Sequence, residues 1–429
     1  MAEGRPGRSH LMRRLLLNSS ALTVGSALAQ LATAIALLLG ARVLGPGTFG
    51  AFVGLFGLVS LAATVIDFGI NAATIRWLAS HAEDAAAFVT TLSAKVFLAF
   101  VLGGTWVAVS MAAMAVGALT VEIGVASVLL GVYLVASVTS TTLAVPLRAR
   151  QRMTTVAIGS VAEKLVVLLV AAVLLLGPGW GPETLGLGFA AGSVASGIFY
   201  AALLAPPFRV AKVPAGREII ELWRQSRELG LSSISVQLQR ADVAVVGFVA
   251  GTEAAGIFAI PARLTNLLGI IPTAFSAALY PRVAARGHSS ETMREAVNVG
   301  AVMLATTAAG LAVLFAAADW IVPLLLGPAY VGAVPVLRVY VVAMLAASMT
   351  QPMAVYLQAI HQETYVARTV MTAAVIGLLF VGIGSATGGA MGAAYGFAAQ
   401  QALVLLSLAA WFAKGIRASS WTPKGEESA

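Results

Sequence analysis

The sequence predicts an all-α integral membrane protein with about twelve transmembrane helices in two parallel, pseudo-symmetric six-helix lobes. Three observations carry that prediction. Of 429 residues, 59% are hydrophobic and only 10% charged, whereas a soluble domain carries about 25% charged residues. The apolar residues fall into runs near the ~20 needed to cross a hydrocarbon core, and mean hydropathy is +0.92. The basic residues, finally, collect in alternate loops. A soluble enzyme, a disordered chain and a secreted disulfide scaffold are thereby excluded. The chain has no cysteine, hence no disulfide, thiolate metal site or cysteine nucleophile.

Twelve apolar segments lie between polar punctuation, near residues 15–39, 48–67, 90–116, 121–145, 155–177, 184–205, 228–250, 254–280, 296–318, 331–358, 365–384 and 389–413. In lipid each must be a helix, because a helix satisfies its own backbone hydrogen bonds. The alternating ten-residue segments of a β-barrel are not seen. The first segment resembles a signal peptide, with Arg13-Arg14 before it and Ala27-Leu28-Ala29 within it. Asn18, Ser19 and Ser20 interrupt its apolar core, however, and the run continues to Leu39. We read it as a retained first span.

Loop charge sets the orientation. With a cytoplasmic N-terminus, 20 of the 26 basic residues fall in inner loops and tails, and only Arg42 lies beside an outer loop. Cytoplasmic loops accumulate Lys and Arg, so a multi-pass protein of the cell (plasma or inner) membrane with both termini cytoplasmic is expected. The net charge of +8 and pI near 10.0 then record topology rather than nucleic-acid binding.

A weak internal repeat divides the spans. Gly45, Gly50, Phe52 and Arg76 recur 206 residues later as Gly251, Gly256, Phe258 and Arg282, and Pro146 recurs as Pro352. Six spans per copy make the copies parallel, an arrangement of transporters with the substrate site between halves. We expect an N-terminal lobe over 1–206, a cytoplasmic connector over 207–227 and a C-terminal lobe over 228–429. Within the connector, Arg217 to Arg227 reads as an amphipathic surface helix, with Ile219, Ile220, Leu222 and Trp223 beside Glu218, Glu221, Arg224 and Arg227.

Three stretches together resemble the multidrug/oligosaccharidyl-lipid/polysaccharide (MOP) flippase superfamily, and within it the polysaccharide-unit (Wzx-type) flippases. The first is Ala41-Arg42-Val43-Leu44-Gly45-Pro46-Gly47-Thr48-Phe49-Gly50, followed by Asp67-Phe68-Gly69-Ile70 and Arg76. The second runs from Gln239-Arg240-Ala241-Asp242-Val243 through Gly247, Ala255-Gly256-Ile257-Phe258-Ala259 and Arg263-Leu264 to Tyr280-Pro281. The third is Leu326-Gly327-Pro328-Ala329-Tyr330, Pro335-Val336-Leu337-Arg338 and Leu357-Gln358-Ala359. The resemblance implies two lobes around a central cavity. It implies alternating access that carries a polyprenyl-pyrophosphate-linked oligosaccharide from the inner to the outer leaflet. The expected partners are that lipid-linked saccharide, membrane lipids and a polysaccharide polymerase or glycosyltransferases. No cofactor, metal or nucleic acid is expected.

Charges within spans are the candidate site residues, since each costs at least about 2.5–3.5 kcal/mol to insert unless it faces a cavity or partner. They include Glu163, Lys164, Arg240, Asp242, Arg263 and Arg338. Arg240, Arg263 and Lys164 would line a cationic cavity, where guanidinium forks match phosphate oxygens. The alternative for Arg240 is an ion pair with Glu163 or Asp67. Gln237 shares a face with Arg240, whereas Asp242 lies ~200° around the helix from it. Gln30, Gln237, Gln239, Asn266 and Gln400 could bond sugar hydroxyls. Asp242 and Glu163 are the carboxylates that could carry a coupling proton. Arg338 and Arg42 lie near span ends and should reach toward headgroups. Within spans, Lys95, Lys164, Arg240, Arg263 and Arg338 outnumber Asp67, Glu163 and Asp242, which favours an anionic cargo.

Two other function classes compete. A MATE-like ion-coupled multidrug antiporter on the same fold would want an acidic cavity, and the first span carries no acid. A membrane glycan polymerase or ligase would need catalytic groups in a sizeable outer loop. The outer loops hold little beyond Glu183 and Glu253, so no enzyme is expected. His10, His81, His288 and His361 are spread through loops without metal-site spacing.

Overall fold

A computed structural model describes residues 8–81, 84–177, 179, 181–205, 216–238, 241–269, 271–272, 275, 279, 290–359 and 362–417. The N-terminal helices are α1 (Arg8–Asp67), α2 (Ile70–Ser80), α3 (Ala85–Ala115), α4 (Val121–Leu143), α5 (Val145–Ala149), α6 (Met153–Leu175) and α7 (Glu183–Leu203). They are followed by α8 (Gly216–Leu238), α9 (Asp242–Ala250), α10 (Thr252–Asn266), α11 (Ser290–Ala316), α12 (Ala318–Leu326), α13 (Ala333–Ala359) and α14 (Glu363–Arg417). The all-helical membrane fold expected from the sequence is what the chain adopts.

Eight described helical stretches are long and apolar enough to cross a membrane. Two of them, Thr23–Ser80 and Thr364–Trp411, each hold two expected spans joined at a glycine break. The breaks are Gly45 in α1, and Gly388 with Gly389 in α14. The seventh expected span differs from its reading. The amphipathic stretch and the start of that span form one helix, α8, and a second helix begins at Asp242. In the eighth, α10 stops at Asn266 and turns follow over 267–269, with helix again at 271–272.

Local chemistry explains the element ends. Asp84 caps α3, accepting from the Ala87 N–H at 3.0 Å, and Thr120 caps α4 through the Ile123 N–H. These caps serve N–H groups that no helical carbonyl reaches. The Ala87 N–H, with the Trp77 indole N–H, holds the Asp84 carboxyl below its ordinary pKa. Hydroxyls inside the spans fold back on their own helices. Thr33, Ser60, Thr64 and Thr142 each donate to the carbonyl four residues earlier, so none is left unsatisfied in lipid. The outward faces are apolar: Leu165, Leu169 and Val173 on α6 are all exposed, at the spacing of one helix face.

α1, α3, α4, α6 and α7 pack together, as do α9, α10, α11, α13 and α14. The first set meets the second through α1, which touches α9, α10 and α12, while α8 touches α1, α2, α3 and α14. The α1–α10 contact is reciprocal under the 206-residue repeat. Gly45 (φ 73, ψ 169) and Gly251 (φ 90, ψ 166) break their helices with matching left-handed backbone, a region open to glycine without a Cβ penalty. One turn on, a methyl group at Gly50 would stand 1.8 Å from the Thr252 carbonyl oxygen, and one at Gly256 would stand 1.9 Å from that of Pro46. Thr252 is itself Pro46 plus 206. Backbone meets backbone there, and only hydrogen fits.

Candidate functional site

The described charges inside the helices concentrate in the N-terminal set. Glu163 and Lys164 are consecutive on α6, about 100° apart around the helix. They form an ion pair at 2.5 Å. α7 completes the carboxylate's shell: Ser193 Oγ donates to Oε1 and Ser196 Oγ to Oε2, each at 3.2 Å. Ser196 in turn bonds Ser140 of α4 at 2.6 Å. Close approach makes this reach workable, since a methyl at Gly192 would fall 2.6 Å from the Glu163 carbonyl oxygen. The Lys164 ammonium lies 5.9 Å from the Phe189 ring centre, within cation–π range. Phe189 is nested against Phe56 at 4.5 Å and Tyr133 at 5.6 Å. The Lys164 side chain stays 22% exposed, which leaves it reachable by a ligand.

A second buried pair joins α1 to α3. Lys95 is 1% exposed and donates to Asp67 Oδ1 at 2.5 Å and to Asn71 Oδ1 at 2.8 Å. An ammonium so far from water needs such acceptors, because an unpaired buried charge is costly. Asp67 ends α1, and the chain then turns sharply through Phe68 (φ 38) and Gly69 (φ 72). Phe68 stacks on Trp223 of α8 at 5.3 Å. Arg148 on α5 lies close enough for its charge to act on both Lys95 and Tyr200. This second cluster escaped sequence reading. Lys95 entered only a tally, Asp67 was weighed as a partner for Arg240, and Arg148 fell among the inner-loop charges. An Asp at a span end and a Lys ten residues beyond the start of α3 were the available signal.

The C-terminal set places its candidates less densely. Asp242 is 6% exposed in the first turn of α9, its Oδ1 accepting from the Val243 N–H at 2.7 Å, where a helix N-terminus favours negative charge. Arg263 is half-buried in the last turn of α10, and Asn266, three residues on, is exposed. Gln237 is half-buried near the end of α8, and Gln30 on α1 is exposed. Gln400 is 2% exposed, packed against Gly377 between the two arms of α14. Arg240 and Gln239 lie outside the described residues. The two carboxylates weighed as partners for Arg240 are engaged within the N-terminal set, Glu163 by Lys164 and Asp67 by Lys95. Arg338 forms an ion pair with Asp319 of α12, a carboxylate outside the sequence tally, and sits 5.5 Å from the Phe315 ring centre. Arg42 donates to the Leu324 carbonyl at 2.9 Å, completing the end of α12 from the other half of the molecule. Among the described residues, no three or more His, Asp and Glu come together to hold a metal ion.

The family model described as polysaccharide biosynthesis protein matches residues 15–286. No curated protein matches the chain. Among solved structures, the lipid II flippase MurJ in an inward closed conformation has a TM-score of 0.72 at 10% identity, covering 91% of this chain and 87% of that one. An inward-facing multidrug resistance MATE family transporter of the MOP superfamily has a TM-score of 0.68 at 16% identity, over 92% and 100% of the two chains. A MOP superfamily transporter from Pyrococcus furiosus, described as having a binding pocket of reverse polarity, scores 0.60 at 16% identity over 95% and 96%. At these identities the likeness establishes the fold alone, one that this chain shares with MurJ and the MATE family transporter.

Proposed function

The chain belongs to the polysaccharide biosynthesis protein family, and on that premise we propose that it flips a polyprenyl-pyrophosphate-linked oligosaccharide from the inner to the outer leaflet. The observation that carries this reading is a transporter fold, shared with a lipid II flippase, in a family tied to polysaccharide synthesis. The protein is a multi-pass membrane protein, and we place it in the cell membrane with both termini cytoplasmic. The lobes span 1–206 and 228–429, joined through 207–227. The Gly45 and Gly251 breaks then lie at the outer face. The Gly50–Gly256 contact closes that face, so the cavity opens first to the cytoplasm.

In this reading Arg240, Arg263 and Lys164 hold the pyrophosphate, each supplying charge-assisted hydrogen bonds to phosphate oxygens. Lys164 does so by exchanging Glu163 for phosphate, which frees the carboxylate to take a proton. Glu163 and Asp242 are therefore the coupling groups. Gln30, Gln237, Gln239 and Asn266 bond sugar hydroxyls, and Gln400 joins them when the arms of α14 part. Rocking of the lobes about the α1–α10 contact exposes the cavity to the outer face. A polymerase or glycosyltransferase acts on either side of this step.

A second reading, ion-coupled antiport of small molecules, draws on the likeness to the MATE family transporter. Export of a lipid-linked saccharide in cells lacking other flippases separates the two. The flippase reading expects Arg240→Ala to abolish export and Arg240→Lys to retain part of it. Intact export in Arg240→Ala removes the pyrophosphate role.

A further inference from the structure

Arg148 occupies α5, a five-residue helix packed against α2, α4 and α6. Its neighbours Val145 and Leu147 are buried in an apolar cluster with Phe88 and Leu92 of α3 and Tyr200 of α7. Lys95 follows Leu92 by one turn and so shares its face of α3. The Arg148 Nε is buried and has no hydrogen-bond partner among the described residues. Lys95 beside it already takes up Asp67 and Asn71. Two cations thus lie near one another where water is scarce, and the carboxylate beside them, Asp67, is bonded to Lys95. Burying an unpaired charge is strongly unfavourable, and a guanidinium edge left open matches two phosphate oxygens at once. Asp67 retains 30% exposure, so one side of the cluster remains reachable.

We propose that Arg148 and Lys95 form a phosphate-binding site at the junction of α2, α3 and α5, separate from Lys164. The phosphate belongs either to a membrane lipid headgroup or to the pyrophosphate of the cargo. Arg148 makes the direct bidentate contact, and Lys95, fixed by Asp67 and Asn71, contributes a second positive charge behind it.

Delipidated full-length protein in neutral detergent is the material for the test, with binding read by native mass spectrometry. The probes are phosphatidylglycerol, phosphatidylcholine and inorganic pyrophosphate. Wild type is expected to retain one phosphate-bearing molecule per chain, at least tenfold more tightly than Arg148→Gln, with Arg148→Lys between them. Retention of phosphatidylglycerol over phosphatidylcholine identifies a lipid headgroup, and displacement of lipid by pyrophosphate identifies the cargo group. Equal binding of every probe by wild type and Arg148→Gln overturns the site. Should Arg148→Gln fail to fold, equal binding by wild type and Arg148→Lys overturns it instead, because lysine lacks the fork. Binding is measured without transport, so loss of the flippase reading leaves this site standing, and its own failure leaves that reading untouched.

Discussion

The two lobes share a backbone and differ in their charges. At the 206-residue offset, Gly45 and Gly251 adopt the same left-handed break, and Gly50 and Gly256 press on each other's helices. Phe52 and Phe258 are both fully buried. Each heads an aromatic group, with Phe189 at 6.4 Å in one lobe and Tyr340 at 6.2 Å in the other. The charges do not follow. Asp67, Lys95, Glu163 and Lys164 have Thr273, Ala301, Thr369 and Val370 at the same offset, while Arg240, Asp242 and Arg263 stand opposite Ala34, Ala36 and Gly57. The repeat preserves what lets the lobes pack. The chemistry of the interior is written separately in each.

Shared features should therefore respond symmetrically to mutation. Gly50→Val and Gly256→Val each drive a side chain into a backbone carbonyl, and overpacking of this kind costs about 1–3 kcal/mol. Directed against one transport state, that is roughly 5- to 150-fold. Both variants are expected to insert normally and to lose transport to a similar extent, measured as export in cells beside the amount of protein in the membrane. A large effect at one glycine alone would break the symmetry.

Unshared features should respond on one side only. Lys95→Met leaves Asp67 uncompensated and should cost about 3 kcal/mol of stability, while Asp67→Asn with Lys95→Met recovers most of it. Thermal unfolding in detergent reads both. Arg42, opposite Phe248 in the repeat, ties α1 to α12 from an exposed position. Arg42→Ala should cost only about 0.5–1 kcal/mol by the same measurement. The smallest effect concerns Asp84, whose counterpart is Ser290. Its folded pKa lies below the ordinary carboxylate value, so its contribution is complete above that value and fades as pH falls through the lowered one. Amide exchange at Ala87 should stay protected near neutrality and loosen only in acid. Asp84→Asn keeps a capping oxygen and should flatten that dependence.

Much of this was legible in the sequence. Composition and run length identified the helices, because lipid admits few alternatives, and the repeated glycines marked matching positions in the two halves without showing that they meet. The seventh span was misread in its shape: hydropathy over 228–250 registers apolar content, not the break that starts a new helix at Asp242. Ion pairs were beyond counting. Lys95 meets Asp67 across 28 residues and Arg338 meets Asp319 across 19, so pairing depends on how helices face one another. The positive excess read from the spans, five bases against three acids, narrows to five against four once Asp319 is included.

The leaflet distribution of a labelled polyprenyl-pyrophosphate disaccharide in proteoliposomes tests the central claim most directly. The account predicts that wild-type protein equilibrates the label between leaflets within minutes, and that Gly50→Val and Gly256→Val slow this alike. Distribution indistinguishable from protein-free vesicles, or undiminished movement in both glycine variants, would contradict it.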